Sequence, residues 1–149
     1  MDNEARREAV AALIRLAGSP DYRDRADAGR SLAAFAEIPE ASGPLLGLVL
    51  DAGDTFVTLA TAEALLRRQD SAGLAVVATA LAAADPDRAD WIHTAVLDVF
   101  GVFSHDRDAA VRECEALARN PDDQMRCGAD QLTVMLVGIN PILHPAQND

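Results

Sequence analysis

Apolar and polar positions follow one another along this chain with the spacing of α-helices. Apolar residues recur three or four positions apart, as at Val10, Leu13 and Ile14, which places them on one face of a helix. Short polar segments with proline, aspartate or glycine interrupt these stretches and are typical of helix ends. The pattern predicts eight helices, over residues 3–16, 21–37, 39–50, 55–68, 70–84, 87–103, 106–119 and 122–137. Asn3 is the expected cap of the first helix, and either Asp106 or Asp108 is expected to begin the seventh.

Polar turns separate these helices at nearly constant intervals. They begin at Ser19, Asp51, Asp85 and Asn120, so the steps between them are 32, 34 and 35 residues. This period is typical of stacked helical hairpins, because one hairpin is too small to bury its own apolar face. The sequence therefore predicts an all-α fold, a short right-handed α-solenoid with a leading helix, three hairpins and a trailing helix. In this register Leu65 repeats the position of Leu32 in the predicted core.

Two of the turns share a motif. Residues 19–25 read Ser-Pro-Asp-Tyr-Arg-Asp-Arg, and residues 120–126 read Asn-Pro-Asp-Asp-Gln-Met-Arg. Both resemble the Asp-Pro-Asp-Pro-x-Val-Arg opening of HEAT repeats, and residues 39–46 resemble the start of a second HEAT helix. Val57 and Trp91 stand where the family has arginine, so an armadillo-like or irregular stack is the alternative. The resemblance implies a curved stack with its second helices on the concave side, and a binding role more often than a catalytic one.

Composition supports one helical domain. Of 149 residues, 50% are apolar but only 4% are aromatic, and thirty are alanine, the strongest helix former. This mixture favours close packing of helices through small side chains over a β-rich fold. The predicted domain covers residues 1–140, and the irregular tail 141–149 contains two prolines, which prevent a regular helix.

The chain is acidic, with a formal net charge of −11, and all of its 13 basic residues are arginine. Few clustered cations argue against nucleic acid as a partner, whereas an acidic surface suits a basic protein. The lack of lysine and the abundance of alanine suggest a bacterial source. Neither an apolar signal segment after Arg6 and Arg7 nor a membrane-spanning run is found, which predicts a cytoplasmic protein.

Two predicted second helices lack charge on every face. Residues 41–50 and 71–84 contain no charged side chain, although a surface helix is normally polar on its outer face. We expect either that an uncharged strip on them binds a partner, or that neighbouring helices and the tail cover it. The predicted strip is Ser42, Gly43, Leu46, Gly47, Leu50, Ala75, Ala78, Thr79 and Ala82, and its acidic rim is Asp85, Asp87 and Asp90.

The trailing helix is unusually apolar for the end of a solenoid, which normally needs a polar cap. Its apolar positions include Leu132, Val134, Leu136 and Val137, and Ile142 follows in the tail. Two explanations are open. Either the tail folds back over the helix, or the helix pairs with a second copy of the chain to form a homodimer.

No residue pattern indicates a catalytic, metal or cofactor site. His93, His105 and His144 are not spaced as paired zinc ligands, and Cys114 and Cys127 have no companion ligands, so we expect buried thiols. The pair His105-Asp106 faintly resembles the paired ligands of HD-domain phosphohydrolases, but a cap at a helix start explains it better.

These observations predict a non-catalytic scaffold or adaptor that binds another protein on its concave second-helix face. One alternative is an acidic immunity or inhibitor protein that neutralises a basic toxin or nuclease. Another alternative is an accessory subunit or small enzyme built on a helical-repeat scaffold. The scaffold interpretation requires no catalytic residue, metal or cofactor, and it expects neither nucleic acid nor membrane as a partner.

Overall fold

The prediction of an all-α chain is confirmed by the computed structural model, which describes residues 2–145. Eight α-helices cover most of these residues, and one short 3-10 turn, Ala33–Phe35, follows the second helix. The helices are α1 Asn3–Ala17, α2 Tyr22–Leu32, α3 Pro39–Val49, α4 Thr55–Leu66, α5 Ser71–Ala83, α6 Pro86–Phe100, α7 Ser104–Leu117 and α8 Asp123–Val137.

Aspartate caps set most of the helix starts. A carboxylate at the cap position accepts a hydrogen bond from an otherwise unpaired backbone N–H, which stabilises the first turn. The capping residues are Asp2, Asp21, Asp54, Asp70, Asp85 and Asp122.

Four predicted helix ends were wrong. Asp2, and not Asn3, caps α1, and the second helix gives way to the 3-10 turn at Ala33. The sixth helix ends at Phe100 instead of Phe103, so α7 begins at Ser104, before both Asp106 and Asp108. The pair His105-Asp106 therefore lies inside the first turn of α7 and does not cap it.

The helices pack in two layers, as expected for stacked hairpins. Helix α4 is the centre of one layer and lies between α2 and α6. Helix α5 is the centre of the other layer and lies between α3 and α8. Helix α1 covers α2 and α3 at one end. This hairpin packing is consistent with a short solenoid.

The third predicted hairpin was wrong. Helices α6 and α7 barely touch, whereas α7 packs extensively against α8 and less against α5. Helix α8 in turn makes the largest interhelical contact of the fold, with α5. The last two helices therefore form their own hairpin, and α8 takes the place beside α5 that the repeat pattern assigns to α7.

Leucines and alanines fill the space between the layers. Leu32 on α2 and Leu65 on α4 are both fully buried, in agreement with their equivalent positions in the repeat. Phe100 is the largest fully buried side chain and closes the core at the end of α6. Burial of each leucine contributes about 1.5–3 kcal/mol relative to exposure, so this core dominates the stability of the fold.

The two arginines of the shared motif make the same contacts. The Arg25 guanidinium donates to the carbonyls of Ser19 and Pro20 at 3.1 and 3.0 Å. Arg126 donates to those of Asn120 and Pro121, both at 3.0 Å. Each arginine thus ties its helix to the preceding turn, which is why both copies of the motif need it.

The tail folds back, as one of the two explanations expected, but it does not cover α8. Leu143 pairs with the turn between α6 and α7, donating to the Val102 carbonyl at 2.7 Å and accepting from Ser104 at 2.9 Å. Val134 and Val137 on α8 stay 70% and 59% exposed. A homodimer through this helix therefore stays a prediction, and residues 146–149 of the predicted tail lie outside the described residues.

Of the helices within residues 2–145, none combines the length and the apolar character that crossing a bilayer requires.

Candidate partner-binding groove

An open groove runs between α3 and α5. Residues 42–46 of α3 and 72–79 of α5 border a cavity of about 370 Å³. Leu50, just beyond the end of α3, and Ala83, the last residue of α5, border a second cavity of about 330 Å³. The two helices therefore run parallel, with the groove along their length. The lining of the larger cavity is Ala36, Ser42, Gly43, Leu46, Ala72, Ala75, Val76, Thr79 and Met125.

Five residues of the predicted strip line this larger cavity: Ser42, Gly43, Leu46, Ala75 and Thr79. Gly47 is exposed one helical turn beyond Gly43, and Leu50 and Ala82 are half-buried further along their helices. Most of the strip is therefore accessible to a partner, although neighbouring helices cover part of it.

Ala78 does not belong to the accessible surface, and its predicted role was wrong. Its side chain is fully buried because α8 crosses α5 at this point. Gly128 on α8 lies directly against the Ala78 backbone, where a β-carbon would overlap with the carbonyl. The close approach of these two helices removes Ala78 from any partner.

Helix α8 supplies residues that the sequence did not reveal. Met125 forms one wall of the larger cavity, and its sulfur lies 3.9 Å from the Thr79 hydroxyl. The Gln124 amide donates to the Thr79 carbonyl at 3.2 Å and anchors this wall. Met125 lies in the second copy of the motif, but nothing in the local sequence indicates that it meets α5.

The groove lining offers apolar contact and no acid–base chemistry. None of the residues that border the larger cavity carries a titratable side chain. The Thr79 hydroxyl donates to the carbonyl of Ala75 at 2.8 Å, so it is already satisfied within its own helix. The Ser42 hydroxyl is the other polar side chain there. Such a surface binds through shape and apolar contact.

Acidic side chains close the groove at the carboxyl ends of α3 and α5. Asp85 lines the second cavity together with Leu50, Ala83 and Arg88. Asp87 lies next to it in the first turn of α6, and both carboxylates are more than half exposed. They share one cation, since Arg88 lies 3.2 Å from Asp85 and 3.7 Å from Asp87. The three side chains Asp85, Asp87 and Arg88 together carry one net negative charge, from two carboxylates and one guanidinium.

The third predicted rim residue, Asp90, is exposed on α6 but borders neither cavity of the groove. Of the three predicted rim residues, only Asp85 therefore borders a cavity of the groove, and Asp87 lies beside it through their shared contact with Arg88.

Two carboxylates at the opposite end, those of Asp70 and Glu37, pair with arginine. Arg68 pairs with both Asp70 and Glu37 at 2.9 Å, and Arg6 pairs with Glu37 at 2.7 Å. Burial alone would raise the pKa of Asp70, but hydrogen bonds from Arg68 and the Gly73 backbone lower it below its usual value. Asp70 therefore stays charged and paired with Arg68 at the amino end of α5.

The histidines and cysteines do not form a second site of known type. Within residues 2–145, no group of three His, Cys, Asp or Glu side chains is arranged to hold a metal ion. His105 and His144 face a cavity beside the buried Ser104, and His93 is exposed on α6. Cys114 is buried as expected, whereas the prediction was wrong for Cys127, which is exposed.

Comparisons with known proteins do not assign this chain to a family. No protein-family model matches it, and no curated protein matches it. Among solved structures, it is similar to an engineered protein from the Northeast Structural Genomics Consortium, with 22% identity and a TM-score of 0.36. That match covers 87% of this chain and 62% of the engineered protein.

Proposed function

We propose that this chain is a non-catalytic scaffold or adaptor that binds another protein in the groove between α3 and α5. The observation that carries the proposal is the groove itself, which is open, uncharged and about 370 Å³ in its larger cavity. Solvated helix surfaces are normally polar, so an apolar groove of this kind is typical of a partner site. The HEAT-like turns support the same proposal, because such stacks act mainly as binding surfaces.

Gly47→Arg tests this proposal without disturbing the fold. A β-carbon at Gly47 meets no atom within 4 Å, and the residue is exposed, so the arginine has room. We expect its long charged side chain to reach into the groove, because Gly47 lies one helical turn beyond Gly43, which lines the larger cavity. We expect affinity capture from the source cell, followed by mass spectrometry, to recover a stoichiometric partner with wild-type protein and to lose it with Gly47→Arg.

Ala116→Arg is the matched control, because it adds the same side chain to an exposed position on α7. It should retain the partner. If Gly47→Arg captures the same partner in equal amount, the groove is not the binding site. Helical circular dichroism of both variants must equal that of the wild type for the comparison to count.

A second candidate function follows from charge. The net charge of −11 favours an acidic inhibitor that neutralises a basic toxin or nuclease. This function predicts that binding weakens steeply between low and high salt, because exposed charges are screened over about 10 Å at 0.1 M. Partner affinity that is independent of salt would reject the inhibitor function and leave the scaffold proposal intact.

A further inference from the structure

Exposed large hydrophobic side chains are concentrated at the α8 end of the helix stack. Elsewhere within residues 2–145, Tyr22 and Phe56 pack edge to face with ring centroids 6.1 Å apart, and Leu97 is exposed on α6. The others lie on α8, on the turn between α6 and α7, and on the tail. They form a set that we call the end patch: Val102, Phe103, Val134, Val137, Ile142 and Leu143.

Backbone contacts join the three parts of the end patch. The tail begins where α8 ends, and its Leu143 donates to the carbonyl of Val102, in the turn between α6 and α7, at 2.7 Å. The Arg107 guanidinium, near the start of α7, donates to the Ile139 carbonyl at 2.8 Å. These bonds bring the tail, the turn and the end of α8 together at one end of the molecule.

The α8 part of the end patch faces away from the core. Val134 lies two residues from both Leu132 and Leu136, which are fully buried, and two residues of helix correspond to a rotation of about 200°. Val134 is therefore on the outer side of α8, and Val137 is exposed one turn further along. Side chains that protrude in this way can pack against an identical surface, as a two-fold symmetric contact requires.

The size of the end patch matches what a stable dimer needs. A standard interface takes about 800 Å² from each partner and is about 65% apolar in homodimers, so roughly 500 Å² of apolar surface is required. The six side chains are between 39% and 76% exposed. At roughly 150 Å² for each large side chain when fully exposed, they offer about 500 Å². An apolar patch of this size is typical of an interaction site.

The distribution of charge favours a second copy of the chain as the occupant. Residues 99–104 and 131–143 contain the whole end patch and no charged side chain, although the chain has a net charge of −11. Two acidic copies repel one another least where charge is absent, whereas a basic partner is attracted to the acidic surface elsewhere. The carboxylates next to these segments along the chain are Asp98, Asp106 and Asp130, which leaves like charges at the rim.

We infer that two copies of this chain form a symmetric dimer through their end patches. The contact is separate from the groove of the proposed function, because Met125 borders the groove at the start of α8 and the end patch includes only the second half of that helix. Each copy in the dimer therefore keeps its groove accessible to a partner.

Sedimentation equilibrium of the full chain over a range of concentrations tests the dimer. We expect the dimer fraction of the wild type to rise with concentration, and Val134→Asp with Val137→Asp to stay monomeric throughout. The double variant places four carboxylates in a contact that excludes water, which is costly. Because both valines are exposed, its helical circular dichroism and cooperative melting should be retained.

Ala12→Asp with Ser31→Asp is the matched control. It adds the same two charges to each copy at exposed positions of α1 and α2, at the other end of the stack, and should still dimerise. Ile142→Ser tests the tail without added charge and should weaken the dimer about tenfold or more, because less apolar surface is buried. Higher salt should strengthen the wild-type dimer by screening the repulsion between acidic copies.

The outcomes separate this inference from the proposed function. A wild type that is monomeric at every concentration, a Val134/Val137 double variant or an Ile142→Ser variant that dimerises as the wild type does, or a dimer that weakens with salt would each overturn the inference. Loss of the captured partner by the double variant, with a monomeric wild type, would assign the end patch to a different protein. Gly47→Arg should dimerise normally, and only its retention of the captured partner would reject the groove.

Discussion

Two glycines of this chain have opposite structural roles. Gly47 lies in the middle of α3 with open space around its missing side chain. Gly128 lies in α8, where its lack of a side chain lets the helix approach the Ala78 backbone. Both look alike in the sequence, as isolated glycines within helices. Gly47 therefore leaves open space on the surface of α3, whereas Gly128 is required for packing.

Alanine substitution separates these roles. Gly47→Ala should raise the free energy of unfolding by about 0.5–1 kcal/mol, because alanine favours the helix and meets no neighbour. Gly128→Ala should lower it by about 1–3 kcal/mol or more, because the added methyl forces α8 away from α5. Urea denaturation of both variants measures these changes. Equal effects of the two substitutions would contradict the packing of α8 on α5.

At the scale of elements, α4 is the most enclosed helix. It packs between α2 and α6 and also contacts α3 and α5, so almost no face is left for solvent. Leu65 and Leu66 near its end are fully buried. This enclosure explains the apolar character of α4 on every face, which the sequence shows as a lack of amphipathic pattern.

Leu65→Asp should therefore unfold the chain. A buried carboxylate without a partner costs at least several kcal/mol, which is comparable with the whole stability of a small domain, about 5–15 kcal/mol. Leu97→Asp on α6 is the matched control, since Leu97 is 45% exposed and its substitution should leave the helical signal intact. A folded, cooperatively melting Leu65→Asp variant would show that the repeat register is wrong.

At the scale of the whole molecule, the turn at Asp51 joins three helices of one layer. Arg25 from α2 holds the Asp51 carboxylate at 3.0 Å, and Arg88 from α6 donates to the Asp51 carbonyl at 2.9 Å. The carboxylate also accepts from the Asp54 backbone at 2.8 Å, at the start of α4. Burial would raise the pKa of Asp51, but the hydrogen bonds from Arg25 and the backbone hold it below its usual value.

This lowered pKa predicts a contribution to stability that acid removes. The contribution is complete above the unfolded pKa, about 4, and is lost as the pH falls through the lower folded value. Asp51→Asn should lower the unfolding free energy at pH 7 and flatten its decline below about pH 4. Asp27→Asn, which removes an exposed carboxylate on α2, is the control for melting curves recorded across this range. Identical acid profiles of Asp51→Asn and wild type would contradict the prediction.

The sequence by itself determined the helical class, the number of helices and most of their limits. These features depend on local chemistry, because an aspartate cap, a proline at a first turn and the helical spacing of leucines act within a few residues. The same local pattern identified the uncharged faces of α3 and α5, which the structure places along one groove. The sequence alone predicted that Ser42, Gly43 and Leu46 belong to an uncharged strip, without any knowledge of their neighbours in space.

Only the tertiary structure decided which helices meet. Helix α8 lies beside α5 because Gly128 fits the Ala78 backbone, and this contact joins residues about fifty positions apart. It buries Ala78, and it brings Met125 to the wall of the groove. A repeat pattern predicts that neighbours in sequence are neighbours in space. At the end of the stack, the close packing of small side chains decides instead which helices are neighbours. Such packing depends on the shapes of both helices, which no short stretch of sequence contains.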